Sequence, residues 1–456
     1  MPRIRSVMPF VCLVTAAACI DRPVTSVEPE PFKEEKTEFP LQINRDLDLL
    51  FVIDNSRSMT PEQDSLAVNF YRLINALETL EGGLPNLHIG VISTDMGAGD
   101  SCITNDGGRL QATPRVDGCS PPDGNFISDI GGVRNYSGTL ADTFSCIARL
   151  GPNGCGFEQT LASVRAALDG SNPGNDGFLR DNAMLGIVFI TDEDDCSTFD
   201  PAMFTTVDDP SSTIGALSSF RCFEFGVECE GSADPRAPGS RENCRPRADS
   251  PYMDDVDEFV SFVRGLKQFE SQVLVAAITG NPTPVRVTTD DRNYPCLDYS
   301  CGSAPVCGDP GTLPAAVPAI RLQAFLDTFA SSTLTTICND DLSDALDRIA
   351  SFFARALKGG CIVGPVADLD PATDGVQPDC AVTEIRDPLG ERIEQVLPAC
   401  DDPVDPQSSS NLPCWRVIEN LDKCTDTAQH LEIEVFYPDG ASVPPDTRID
   451  ARCVGE

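Results

Sequence analysis

Histidine is nearly missing from this chain: His88 and His430 are the only two among 456 residues. Most general-base, triad and zinc chemistry uses imidazole, so those mechanisms lose their usual residue. Basic side chains are also scarce, with 33 Lys and Arg against 71 Asp and Glu and a formal charge of -38. Phosphate backbones and anionic lipid surfaces are held by clustered Lys and Arg, so nucleic acid and acidic membranes are poor partners. No GxSxG, HExxH, CxxC or Walker pattern occurs. Beyond the first 19 residues no stretch has the roughly 20 apolar residues that a spanning helix needs, so membrane attachment depends on the N-terminus. What remains is an ordinary globular composition, 41% hydrophobic and 23% charged, long enough for at least two folding units.

Residues 1–19 read as an export signal. A basic start with Arg3 and Arg5 precedes the apolar run Val7–Val14, and Thr15-Ala16-Ala17-Ala18 leads to Cys19. Three alanines before a cysteine resemble the bacterial lipobox, in which the thiol is acylated and becomes the mature N-terminus; Ala16 stands where Leu is usual. Lipidation at Cys19 and plain cleavage after Ala18 are the two outcomes. Lipidation implies an exported cell-envelope protein, an outer-membrane lipoprotein of a Gram-negative bacterium facing the periplasm or the surface. Residues 20–44, with Pro23, Pro29, Pro31 and the run Lys33-Glu34-Glu35-Lys36, have the composition of a flexible tether.

Cysteine usage agrees with export. Of 20 cysteines, Cys12 falls in the signal and Cys19 at the lipid position, which leaves an even number for an oxidising compartment. They group in even sets: Cys102, Cys119, Cys146 and Cys155; Cys196, Cys222, Cys229 and Cys244; Cys296, Cys301, Cys307 and Cys338; and six from Cys361 to Cys453. Zinc at Cys296, Cys301 and Cys307 is the alternative to disulfides.

From Leu47 the chain reads Leu-Asp-Leu-Leu-Phe-Val-Ile, a buried strand, and then at once Asp54-Asn55-Ser56-Arg57-Ser58. In a turn after a strand, alternate positions aim Asp54, Ser56 and Ser58 at one point, a carboxylate and two hydroxyls suited to Mg²⁺ or Ca²⁺. The same residues also suit a helix cap and a turn. Apolar residues at Leu66, Phe70, Leu73, Ile74 and Leu77 predict a helix over Thr60–Leu80, and Leu87–Ile92 is the next strand. Leu185–Ile190 is a third core strand, ending in Thr191-Asp192-Glu193-Asp194-Asp195. Helices at Val256–Phe269, Ile320–Phe329 and Leu342–Leu357 and a strand at Val273–Ile278 complete an α/β pattern. Two core strands ending in carboxylates would meet at the carboxyl edge of a parallel sheet.

Asp54-x-Ser56-x-Ser58, this alternation and Thr191-Asp192 together resemble a von Willebrand factor type A (vWA) domain with its metal-ion-dependent adhesion site. The resemblance covers about residues 45–357 and implies a doubly wound, mostly parallel sheet flanked by helices. It also implies direct ligation by Ser56 and Ser58, with Asp54 and Asp192 acting directly or through water. The family adds a Thr from a loop before a helix; in Gly154–Leu161, Glu158 falls at that place and Thr160 is the alternative ligand. With Glu158, three carboxylates would surround one ion, which would then attract a partner's carboxylate less. Asp194 and Asp195 are expected to be solvated loop residues.

Surplus residues sit in three Gly-, Pro-, Asp- and Cys-rich insertions, 95–124, 194–249 and 280–314. The first two are expected to rise around the metal edge. The chain divides into the signal 1–19, the tether 20–44, a vWA-like domain 45–358 and a small disulfide-stapled β domain 359–456, with strands at Val382–Ile385, Trp415–Ile418 and Leu431–Tyr437. The function expected is adhesion to an extracellular or envelope protein rather than catalysis. A structural envelope protein with a stabilising metal and a metal-dependent hydrolase are the alternatives. Cys19→Ser should release the protein from membranes or leave an uncleaved precursor, read by fractionation and mass; unchanged membrane partition with normal processing would remove the anchor.

Overall fold

The computed structural model describes residues 34–40 and 46–455 apart from 81–82, 115–117, 269, 303–306, 308–314, 340, 359, 363, 373–374, 387–392, 422–423, 425–426, 439 and 442–446. The export signal, Cys19 and most of the tether lie outside the described residues.

The central sheet contains β1 Asp46–Ile53, β2 Asn86–Ser93, β3 Ile127–Ile130, β4 Val133–Arg134, β5 Met184–Ile190, β6 Val273–Thr279 and β7 Ser332–Thr336, in the order β7-β6-β5-β1-β2-β3-β4. Strands β7, β6, β5, β1 and β2 run parallel. An antiparallel hairpin, β3 and β4, extends the β2 side. Every residue from Leu47 to Ile53 and from Met184 to Ile190 is buried, as strands covered on both faces require.

Helices α1 Thr60–Asn69, α2 Tyr71–Glu78, α3 Leu140–Ala148, α4 Thr160–Leu168, α5 Phe220–Gly226, α6 Val256–Gly265, α7 Ile320–Asp327 and α8 Ser343–Lys358 follow in chain order. The two-residue period of β1 separates two cores. Leu47, Leu49, Phe51 and Ile53 pack with Leu66, Leu73, Phe144, Ile349 and Phe353 of α1, α2, α3 and α8. Leu50 and Val52 face Leu161, Phe259, Val263 and Phe325 of α4, α6 and α7. Gly186 shows how close this packing is: a Cβ there would fall 2.6 Å from Leu49 Cδ2 and 2.7 Å from Phe353 Cε1. The single helix expected over Thr60–Leu80 is instead α1 and α2, divided at Phe70, whose buried ring packs against Phe51 and Phe144.

The insertions are more ordered than loops. Strands Val227–Glu230, Gly239–Pro246, Val285–Thr289 and Pro295–Leu297 form a second, antiparallel sheet. The insertions at 194–249 and 280–314 thus pair with each other through Ser240 and Arg286. Disulfides close within each cysteine group: Cys102–Cys155 and Cys119–Cys146; Cys196–Cys222 and Cys229–Cys244; Cys296–Cys307 and Cys301–Cys338; Cys361–Cys424, Cys380–Cys453 and Cys400–Cys414. The zinc alternative at Cys296, Cys301 and Cys307 is therefore overturned, because each of the three is spent in a disulfide.

After α8 the chain forms strands Cys380–Arg386, Ile393–Leu397, Cys414–Glu419, Leu431–Phe436 and Arg448–Val454. Residues 34–40, assigned above to the tether, are not free chain: Glu34–Pro40 pairs antiparallel with Arg448–Val454. Its polar composition conceals this, because an edge strand is held by backbone hydrogen bonds.

One acidic residue inside a core strand anchors the far end of the sheet. Asp48 is fully buried; it accepts from Arg180 Nε and from the Arg180 backbone N–H, both at 2.7 Å. Lys267 Nζ, also buried, lies 3.9 Å from Asp48 and donates to the Arg180 carbonyl. Burial lowers the Lys267 pKa to about 8. Asp48→Ala would strand these cations and should cost about 3–5 kcal/mol in denaturant unfolding, whereas Asp46→Ala, at a more exposed position, should cost under about 1 kcal/mol. Equal effects would remove the anchoring role of Asp48.

Candidate metal centre

Order 5-1-2 across the sheet makes the β1/β5 boundary a topological switch point, where the loops leaving the carboxyl ends diverge and open a crevice. Asp54 follows β1 and Thr191-Asp192 follows β5 at that boundary. Asp54 is wholly buried. Its Oδ1 accepts from the Ser56 N–H at 2.7 Å and its Oδ2 from the Thr191 hydroxyl at 2.8 Å. The Ser56 and Ser58 hydroxyls lie 3.1 Å apart, and Ser58 and Asp192 line the same cavity. Glu158, also wholly buried, accepts a hydrogen bond from the Thr94 hydroxyl.

The surrounding loops are locked. Gln63 Nε2 donates to the Asp54 carbonyl at 2.8 Å, and its Oε1 accepts from Gly151 at 2.8 Å. The Gly154 N–H donates to the Asn55 carbonyl at 2.8 Å, and a Cβ at Gly154 would fall 2.1 Å from Asn55 Oδ1. Only glycine lets the loop before Glu158 lie this close to the Asp-x-Ser-x-Ser turn. Cys102–Cys155 ties that loop to the first insertion, and the Cys196 N–H donates to the Glu158 carbonyl at 2.7 Å.

Asp194 and Asp195, expected to be solvated, are built into this frame. Asp194 accepts from the backbone N–H groups of Ile320, Arg321 and Leu322 at 2.9–3.1 Å, capping α7, where unpaired amides favour an anion. Asp195 is wholly buried against Arg321, 3.0 Å from Nη2, and accepts from the Leu161 N–H at 2.9 Å. The two aspartates hold the loop after β5 between α7 and α4, Asp195 fully buried and Asp194 half-buried.

Asp54, Ser56, Ser58, Glu158 and Asp192 are thus brought into one cluster. Thr160 begins α4, buried, and its hydroxyl donates to the Glu158 backbone carbonyl at 3.5 Å, not to a carboxyl group of the cluster. The sequence reasoning missed Thr94, although Ser93-Thr94-Asp95 ends β2 in oxygen-bearing side chains just as β1 and β5 end. It also missed Glu62, near Asp54 in the first turn of α1, and Glu193.

Among the described residues no Lys, Arg or His forms an ion pair with Asp54, Glu62, Glu158, Asp192 or Glu193. Burial raises the pKa of each, and the Asp54 charge adds to the rise at Glu62, Glu158, Asp192 and Glu193. Glu193 is pushed up to about 8. Glu158 Oε1 and Asp192 Oδ1 are buried acceptors without a hydrogen-bond partner. Among the described residues no three His, Cys, Asp or Glu side chains form a metal-holding group by themselves, so an ion here would need the serine hydroxyls. Orphaned carboxylate oxygens beside two hydroxyls suit a hard divalent cation.

A cavity of about 290 Å³ opens over Ser58 and Asp192. Its walls come from the second and third insertions, through Ser218, Phe220, Phe223, Leu297 and Tyr299. Of the two insertions expected at this edge, the second walls the cavity and the first braces the Glu158 loop; the third, paired with the second, adds a wall that was not expected.

No protein-family model and no curated protein matches the chain. Among solved structures it is similar to the pilus adhesin of Streptococcus pneumoniae, at 10% identity over 93% of this chain and 58% of that one, TM-score 0.29. The adhesive tip pilin of Group B Streptococcus agalactiae is similar at 10% identity over 93% of this chain and 82% of that one, TM-score 0.27. The human COPII-coat protein Sec24c is similar at 8% identity over 92% of this chain and 46% of that one, TM-score 0.30. The chain spans little more than half the length of the first of these, and such slight likeness carries no argument about activity.

The raised carboxyl groups set a pH dependence. A carboxyl that keeps its proton in the folded chain but loses it on unfolding makes stability fall as pH rises from its unfolded to its folded pKa. For Glu193 that window runs from 4.5 to about 8. In chelator, the melting temperature should therefore fall between pH 5 and 8, and Mg²⁺ or Ca²⁺ should flatten the slope. A melting temperature that rises across that range in chelator would contradict the burial of unpaired acid.

Proposed function

We propose that this chain is an exported binding protein whose divalent-cation site, of the vWA adhesion type, holds a partner protein at the carboxyl edge of the sheet. The observation that carries this is the joining of Asp54, Ser56, Ser58, Glu158 and Asp192 into one buried group with orphaned oxygens. Ser56, Ser58 and Glu158 would hold Mg²⁺ or Ca²⁺, with Asp54 and Asp192 completing the set directly or through water. When bound, the ion supplies a fixed positive point to which an oxygen donor can attach. The protein's own residues set the turn, exclude water beneath it and leave Ser58 and Asp192 at the floor of the cavity.

Binding is favoured over hydrolysis by the placement of the two imidazoles. His88 hydrogen-bonds the Phe178 carbonyl beside Asp48, at the opposite end of β1, and His430 hydrogen-bonds the Cys424 carbonyl in the C-terminal strands. Export and an envelope location are supported by the disulfides, which need an oxidising compartment. Among the described residues no helix is long and apolar enough to cross a membrane, and attachment is assigned to lipid on Cys19. Residues 359–456 are assigned to a small β unit with its own apolar cluster around Val366, Val382, Ile433 and Ile449.

Calorimetry with Mg²⁺ and Ca²⁺ tests the site. Ser56→Ala should lower affinity at least about tenfold, Glu158→Thr should lower it by removing one charge, and Thr160→Ala should leave it unchanged. If Thr160→Ala abolishes binding and Glu158→Thr does not, the ligand is Thr160. If Ser56→Ala binds metal like wild type, the Asp-x-Ser-x-Ser segment is a capped turn alone. A chelator-sensitive pull-down from native envelope extract, lost in Ser56→Ala, should then recover the partner; recovery that ignores chelator would favour a purely structural ion.

A further inference from the structure

Charge counting at the site gives a result opposite to the usual adhesion arrangement. With Asp54, Glu158 and Asp192 ionised, one bound divalent ion would leave the site with one formal negative charge. Glu193 lies beside them. Of the four acidic residues on the cavity wall, Asp194 is satisfied by the amides of α7 and Asp290 by Arg292 at 3.0 Å. Asp192 and Glu193 have no such counter-charge. Asp192 is only 7% exposed, and its Oδ1 is buried without a hydrogen-bond partner. No Lys, Arg or His lines the cavity among the described residues.

Much of the remaining lining is apolar and aromatic: Phe220, Phe223, Leu297 and Tyr299. Aromatic faces with a carboxylate at the end of a narrow cavity form a setting for a cation on a hydrocarbon stem, since the ring quadrupole attracts the head and the walls cover the methylenes. At about 290 Å³ the space lies below the range of drug-sized ligand pockets and suits one side chain. A carboxylate entering the same space would meet Asp192 and Glu193 with no cationic side chain to receive it.

Resting on the binding role given above, we propose that the cavity receives a basic side chain, lysine or arginine, from the partner protein, with its charged head at Asp192 and Glu193 and its stem between Phe223 and Leu297. Partner choice at this edge is thereby set by the two disulfide-bonded insertions, and the ion organises the carboxylates beneath the incoming head.

The test uses the full mature, oxidised chain. Nα-acetyl-lysine amide, Nα-acetyl-arginine amide, the uncharged norleucine isostere and the glutamate analogue are titrated by NMR with and without Mg²⁺. The basic probes should bind about tenfold more tightly than norleucine, with Mg²⁺ present, and glutamate should not bind. Ser218→Trp, which fills the cavity from its wall, should abolish binding of the basic probes while Mg²⁺ affinity and melting temperature stay at wild-type values. Equal binding of lysine and norleucine would overturn the proposal, as would Mg²⁺-dependent binding of glutamate. Mg²⁺ binding with no basic probe bound would overturn it and leave the metal site standing. Lysine binding lost on adding Mg²⁺ would overturn joint occupancy. Lysine binding in a chain without Mg²⁺ affinity would support the cavity and remove the metal-site reading.

Discussion

Unpaired carboxyl groups held out of water at one sheet edge are the constraint around which this fold is organised. Burial of an isolated carboxylate is so unfavourable that the group normally neutralises, pairs or binds a cation. Asp54, Glu158 and Asp192 meet with hydroxyls and amides and no basic side chain among the described residues. Such a cluster persists only where rigid elements prevent it from relaxing apart. The two apolar cores supply that rigidity, because β1 and β5 are covered on both faces and their ends cannot move independently.

The loops around the cluster carry the remaining burden. Arg321 is buried against Asp195 and Asp194 caps α7, the helix that carries Arg321, so the segment after β5 is clamped on both sides. Gln63 and Gly154 clamp the loop before Glu158 against the turn after β1. Basic residues are therefore present near the site, but they are used on its supports and not on its carboxyl groups. A structural role for the cluster would place a guanidinium on the orphaned oxygens themselves, which is the cheaper way to bury acid.

Much of this was legible because periodicity and strand-end chemistry are local. Leu47–Ile53 could only be a doubly covered strand, and Asp54, Ser56, Ser58 and Asp192 followed from strands ending in oxygen donors. The partners of Asp48 were not legible: Arg180 and Lys267 reach it from distant segments, and an aspartate in an apolar run gives no sign of which cation it will meet. The insertion sheet was hidden for the same reason. Gly239–Pro246, with Arg241, Glu242 and Arg245, lacks the alternation of an amphipathic strand, because backbone pairing with Val285–Thr289 and the Cys229–Cys244 disulfide hold it in place. Asp194 and Asp195 were misjudged as solvated because sequence shows their charge but not the helix amides and the guanidinium that neutralise it.

Disulfide placement connects stability to selectivity. Of the first four bonds in the chain, Cys102–Cys155 braces the Glu158 loop, Cys196–Cys222 joins the segment after β5 to α5, and Cys229–Cys244 staples the strands that follow α5. Long polar loops cannot bury enough apolar surface to offset their conformational entropy, and cross-links reduce the entropy of the unfolded chain instead. The second and third insertions gain order from these cross-links and from a small shared apolar cluster of Phe220, Phe223, Val227, Val285 and Val287. A hydrophobic cap would have closed the crevice, whereas the stapled insertions wall it and leave Ser58 and Asp192 at its floor. The same cross-links that keep these loops folded therefore keep the acidic edge open to a partner.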